Sequence, residues 1–209
     1  MGFQWACFLS YRHSNKDGLA VVDAFHDKLE RELGMRGLQV YRDNRNDAGT
    51  LYNPLIATTL CESVCMVVMY WPEYFSAEHP YCTREYLAMV RLEEKRRAML
   101  PDAERNFGLI IPVMIRFWRD DLPDDLKNRH HEDFTALSLS PHMRKSVQFS
   151  RRVHRIAEYI QGRCRAFNAV AHDPCTGCRD FALPSDDEAR GWLAGIPRSI
   201  RWIHDGGSR

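Results

Sequence analysis

Apolar residues in this chain gather in short uninterrupted runs, and these alternate with stretches of helical periodicity. Residues 3–11 form an aromatic-rich apolar run that suits a buried strand. Over 16–33, Leu19, Val22, Phe25, Leu29 and Leu33 recur at three- and four-residue steps, which predicts a helix ended by Gly34 and Gly37. A second strand is expected at 38–41, followed by a polar loop over 42–53 rich in Asp, Asn and Gly. Pro54 opens a short helix at 55–62. Residues 64–70, Val-Cys-Met-Val-Val-Met-Tyr, are the most continuous apolar run and predict a central strand covered on both faces.

After a turn-rich segment at 71–80, a helix is expected over 81–97, with Tyr86, Met89, Val90 and Glu93 alternating faces and the charged run 93–97 a solvated end. Residues 108–115 read as a fourth strand and 134–137 as a fifth, at the sheet edge. Residues 144–167 read as a basic amphipathic helix. Its inner face is Val147, Val153, Ile156, Ile160 and Cys164, and Arg151, Arg152, Arg155, Arg163 and Arg165 face out. Beyond 168 the pattern weakens.

Strands alternating with helices imply an α/β fold with a parallel sheet and right-handed crossovers. Ligands of such sheets bind outside the carboxyl ends of the strands. The loops beginning at Ser10, Asp43 and Trp71 all leave those ends, so they share one rim, and Glu85 opens the helix behind the third loop.

Composition narrows the function. The formal net charge of +1 over 209 residues gives no global basic field for nucleic acid. The arginine run of the last long helix lacks interleaved aromatics and reads as a solvated face. No window is long and apolar enough for a membrane span, and the N-terminus lacks a basic n-region, so a cytoplasmic protein is expected. Of the seven cysteines, Cys7, Cys61 and Cys65 lie in apolar runs, as small buried thiols do. His172, Cys175 and Cys178 have the residue types of a zinc site, but a fourth ligand requires Cys164 to fold back from its helix. The expectation is free thiols and no metal.

Four segments in order carry a family likeness. Ala6-Cys7-Phe8-Leu9-Ser10-Tyr11-Arg12, Asp43 with Gly49, Tyr74-Phe75-Ser76 followed by Tyr81-Cys82-x-x-Glu85, and Ile110-Ile111-Pro112-Val113 resemble the sequence boxes of Toll/interleukin-1 receptor (TIR) domains. Tyr81 stands where tryptophan is usual. The resemblance implies a flavodoxin-like TIR fold, a five-stranded parallel sheet with helices on both faces, over residues 1–167, and a C-terminal extension over 168–209.

The resemblance also implies an activity. TIR domains include signalling modules and enzymes that cleave NAD+, and in the enzymes a glutamate at the position of Glu85 is essential. NAD+ enters as substrate, with no resident cofactor. Candidate binding residues are Ser10, Tyr11, Arg12, Asp43, Tyr81 and Cys82. Arg12 suits a phosphate, Tyr11 and Tyr81 suit ring stacking, and Asp43 and Cys82 have competing roles in loop organisation and packing. Self-association through TIR domains is implied, with the 43–53 loop as docking element. The overall shape resembles bacterial TIR proteins of anti-phage defence, such as the Thoeris type, which make a cyclic ADP-ribose-like signal for a separate effector. A non-catalytic interaction module and a virulence TIR are the alternatives.

Overall fold

A computed structural model describes residues 2–13, 16–43, 52–116, 122–138 and 142–196. The chain runs β1 (Trp5–Ser10), α1 (Lys16–Gly34), β2 (Val40–Arg42), α2 (Tyr52–Cys61), β3 (Ser63–Tyr70), α3 (Tyr81–Arg97), β4 (Ile110–Met114), α4 (Asp124–Lys127), β5 (Glu132–Asp133), α5 (Thr135–Ser138), α6 (Val147–Asn168) and α7 (Asp186–Ala194). The five strands form one parallel sheet in the order β2-β1-β3-β4-β5. This is the flavodoxin-like arrangement. Helices α1 and α6 pack together on one side, and α2, α3 and α7 on the other.

Local chemistry explains the element boundaries. All eight residues of β3 are buried, as its unbroken apolar run requires of a strand between two helix layers. Helix α1 ends where Gly37 takes φ 70°, a left-handed conformation that glycine adopts freely. The turn lets the Leu38 amide donate to the Leu33 carbonyl at 3.0 Å. At the start of α6, Ser146 caps the helix by accepting from the Phe149 amide.

Strand β4 contains Pro112, paired in register with Val68. The Ile115 amide turns toward β3 to reach Tyr70, while the Met114 carbonyl accepts from Phe134 beyond β5. By the strand's alternation the Pro112 nitrogen faces the β5 side, where it has no proton to give. Pairing with β5 accordingly begins only at Val113.

Several expectations are corrected. The fifth strand is Glu132–Asp133, and residues 135–138 are helical. The Asp133 carboxylate accepts from the Thr135 amide at 2.8 Å and bends the chain out of the sheet. The charged end of α3 is not uniformly solvated, because Glu93 and Arg96 are buried. Arg96 donates to the carbonyls of Ser63 and Cys61 and lies over the Phe3 ring, and burial lowers its pKa to about 10. In α6, Val147 is exposed and Arg163 is buried, paired to Glu104 at 2.6 Å and stacked on Phe107.

The tail is ordered where the pattern weakened. Ser185 and Glu188 form a reciprocal capping box at the start of α7. Cys61 and Cys178 are joined by a disulfide across 117 residues, which corrects the reading of both as free thiols. Among the described residues Cys7, Cys65, Cys82, Cys164 and Cys175 take part in no disulfide. Among the described residues, no helix is long and apolar enough to cross a membrane.

Candidate active site

In the order 2-1-3-4-5 the chain leaves β1 for one side of the sheet and β3 for the other. The carboxyl ends of these two neighbours therefore flank a crevice, the point where doubly wound folds bind ligands. Ser10 is the last residue of β1 and pairs with Val68 of β3. Its neighbours across the crevice are Tyr74, from the loop after β3, and Glu85, one turn into α3.

The three side chains form a hydrogen-bonded row. Ser10 Oγ donates to Glu85 Oε2 at 2.6 Å. Ser10 has one hydroxyl proton, so the Tyr74 hydroxyl, also at 2.6 Å, donates to Ser10. Burial, followed by the nearby Cys82 and Glu85, holds the Tyr74 phenol well above its ordinary pKa and keeps it a proton donor. Glu85 is 6% exposed, Ser10 1% and Tyr74 0%. The row is thus a buried polar relay in which Tyr74 backs Ser10 and Ser10 meets one carboxylate oxygen.

A second group lies beside it. The Tyr11 hydroxyl donates to the Asp43 carbonyl at 2.9 Å and accepts from Arg42 Nε at 3.1 Å. Burial is the main cause of its raised pKa. The Tyr11 ring is buried, so in this conformation it braces the ends of β1 and β2 and presents no open stacking face. Cys82 Sγ lies 3.6 Å from the Tyr11 carbonyl, tying the first turn of α3 to β1. The Asp43 carboxylate lies 3.8 Å from His13 Nε2. Arg12 donates to the Glu73 carbonyl and so joins the first loop to the third. Tyr81 is 39% exposed, with the Arg84 guanidinium 5.6 Å from its ring centre.

All the sequence candidates therefore reach one rim, and Ser10 is bonded to Glu85. Most of the 43–53 docking loop, residues 44–51, lies outside the described residues. Tyr74 was legible only as part of a family box. Phe75 and Trp192, which pack behind Tyr74 at ring distances of 4.9 and 5.1 Å in turn, carried no signal of their own.

A cleft of about 1030 Å³ opens elsewhere, between α3, α6 and the residues entering β4 and β5. It lies at the amino ends of those strands, on the rim opposite Glu85. Of the arginines that line it, Arg129 pairs with Glu93 and Arg155 with Glu132, while Arg97 donates to the Arg105 carbonyl.

The fold order, the β1–β3 crevice and the boxes along its rim agree with the comparison to known families. No curated protein matches the chain. A family profile described as "TIR domain" matches residues 7–148. That span takes in the sheet from Cys7 onward and the Ser10–Tyr74–Glu85 row, and the chain belongs to the TIR domain family.

Proposed function

We propose that this TIR domain cleaves the nicotinamide–ribose bond of NAD+, with Glu85 as the catalytic carboxylate. The observation that carries the reading is the buried Ser10–Glu85 hydrogen bond at the β1–β3 crevice. Cleavage breaks the bond from ribose C1′ to the nicotinamide nitrogen. The electron pair leaves with nicotinamide, which departs as a neutral base, and positive charge develops on the ribose ring as in glycoside cleavage. A carboxylate aimed at that charge in a water-poor crevice stabilises the transition state. Water then yields ADP-ribose and a proton, or an adenine nitrogen of the same molecule closes a cyclic product. The Tyr74 and Ser10 hydroxyls fix the rotamer of Glu85 and so pre-organise it.

Because Glu85 is covered, the described conformation is the resting one. Activation moves the 71–80 loop, by self-association or by a trigger, and admits substrate. The proposed setting is the cytoplasm, where NAD+ is available, and the proposed role is anti-phage defence of the Thoeris kind, with a nucleotide product read by a separate effector.

The same burial favours a second reading. A carboxylate this covered also serves as a fixed polar core group in a TIR–TIR interaction module. The test is nicotinamide release from NAD+ by purified protein across a concentration series, with infected-cell extract as trigger. Release that rises per chain with concentration supports an assembled enzyme. No release in any condition, with assembly intact, leaves the interaction module.

A further inference from the structure

We propose that the tail helix α7 is a working part of this rim, and that Trp192 is a positioning residue for Glu85. The proposal rests on the NAD+-cleaving reading. Helix α7 lies beyond the residues that match the family, yet it is fastened directly over the loop and helix that carry the site.

The attachment has polar and aromatic parts. Arg84 Nε donates to the Pro184 carbonyl at 2.6 Å, and the same guanidinium pairs with Asp186 at 3.1 Å. Arg91 pairs with Glu188 at 2.8 Å. Arg190 reaches back to the Ala77 carbonyl, inside the 71–80 loop, at 3.4 Å. The Trp192 ring meets Phe75 edge-on at 5.1 Å and Tyr86 at 5.7 Å. At its other end the tail is held to α2 through Cys61–Cys178.

From Trp192 the contacts run inward without a gap. Phe75 meets Tyr74 edge-on at 4.9 Å, the Tyr74 hydroxyl reaches Ser10 at 2.6 Å, and Ser10 reaches Glu85 at 2.6 Å. The 71–80 segment consists of turns and bends rather than a ladder of strand bonds. The placement of Tyr74 therefore depends on the rings packed around it. Trp192 supplies part of that packing, against both Phe75 and Tyr86. A small displacement of a positioned catalytic group costs rate out of proportion to its size.

Two measurements on the full chain decide this. Hydrogen–deuterium exchange over 71–80 is compared in wild type, Trp192→Ala, Trp192→Phe and Glu94→Gln, an exposed position of α3 outside the α7 attachment. Faster exchange in Trp192→Ala, largely restored by Trp192→Phe and absent in Glu94→Gln, is the expected result. Equal exchange in wild type and Trp192→Ala overturns the proposal. Phe75→Leu, which keeps an apolar filling but removes the ring, must reproduce the faster exchange, and it decides the matter if Trp192→Ala does not fold.

Nicotinamide release gives the second readout. Trp192→Ala is expected to lower kcat about tenfold with KM little changed, as loss of positioning does. In a Tyr74→Phe background the same change is expected to cost less than about twofold more, because both act through one row. Turnover in Trp192→Ala equal to wild type overturns the positioning role. A wild type that releases no nicotinamide refutes the NAD+ reading instead, and the exchange comparison still decides whether α7 holds the loop.

Discussion

Helix α3 carries two buried glutamates about two turns apart, and they meet different partners. Glu93, near the far end, accepts from the amides of Leu109 and Ile110 and from both terminal nitrogens of Arg129, at 2.9 and 2.7 Å. Glu85 accepts from the Ser10 hydroxyl, which a tyrosine backs in turn. A guanidinium fork with two backbone amides anchors a carboxylate and joins α3 to the entry of β4. A hydroxyl row orients a carboxylate while adding no charge of its own. Burial is common to both acids; the donors seen on each and their places on the sheet differ, and the proposed catalytic role falls to Glu85.

The sharpest way to break this comparison is to neutralise each glutamate in turn. Glu85→Gln keeps the shape and an acceptor for Ser10 but removes the charge. It is expected to slow nicotinamide release by about 10²–10³, on the order of 3–4 kcal/mol, with stability changed by roughly 1 kcal/mol or less. Equal turnover in variant and wild type refutes the catalytic role. Glu93→Gln is expected to do the reverse. It leaves Arg129 short of its main buried partner and costs about 3 kcal/mol, read as a melting temperature lower by about 10 °C, while turnover of the folded fraction is kept.

A third glutamate sharpens the contrast through pH. Glu32 on α1 bonds His154 of α6 at 2.9 Å, with Lys28 of its own helix and Arg36 just past the helix end beside it. The His154 bond is the main reason its pKa falls to about 2. A folded pKa below the unfolded value means that the stabilisation is present above about pH 4.5 and is lost as pH falls toward 2. Denaturant melts at pH 6 and pH 3 are expected to show a stability loss in wild type that is smaller by about 2 kcal/mol in Glu32→Gln. An identical loss in both proteins contradicts the linkage.

The smallest effect is expected at Tyr74. Tyr74→Phe removes one hydrogen bond to Ser10 and is expected to lower turnover by about tenfold or less, corresponding to about 1 kcal/mol. A loss as large as that of Glu85→Gln gives Tyr74 a direct role in the chemistry.

The rim was readable before the fold because each of its parts follows an apolar run. Ser10, Asp43 and the loop before Glu85 each sit where a strand stops, and the bounds of α3 coincide with the expected 81–97. The buried charges were not readable. Glu93 stands in a charged run, and the residue that buries it, Arg129, is 36 positions away. Arg163 likewise lies among arginines that do face water. The Cys61–Cys178 link spans 117 residues, and cysteine spacing alone does not set connectivity. Helix α7 did leave a trace, since Ser185 and Glu188 have the spacing of a capping box.

Pro112 bears on how copies of this domain meet. An exposed strand edge invites another chain to add a strand, the first step toward β-aggregates. Here β5 offers two residues and β2 three, and on the β5 side Pro112 withholds the amide that a longer strand would need. A sheet blunted at both edges resists runaway strand addition even at high local concentration. The self-association proposed for the domain would then run through side chains and loops rather than through added strands.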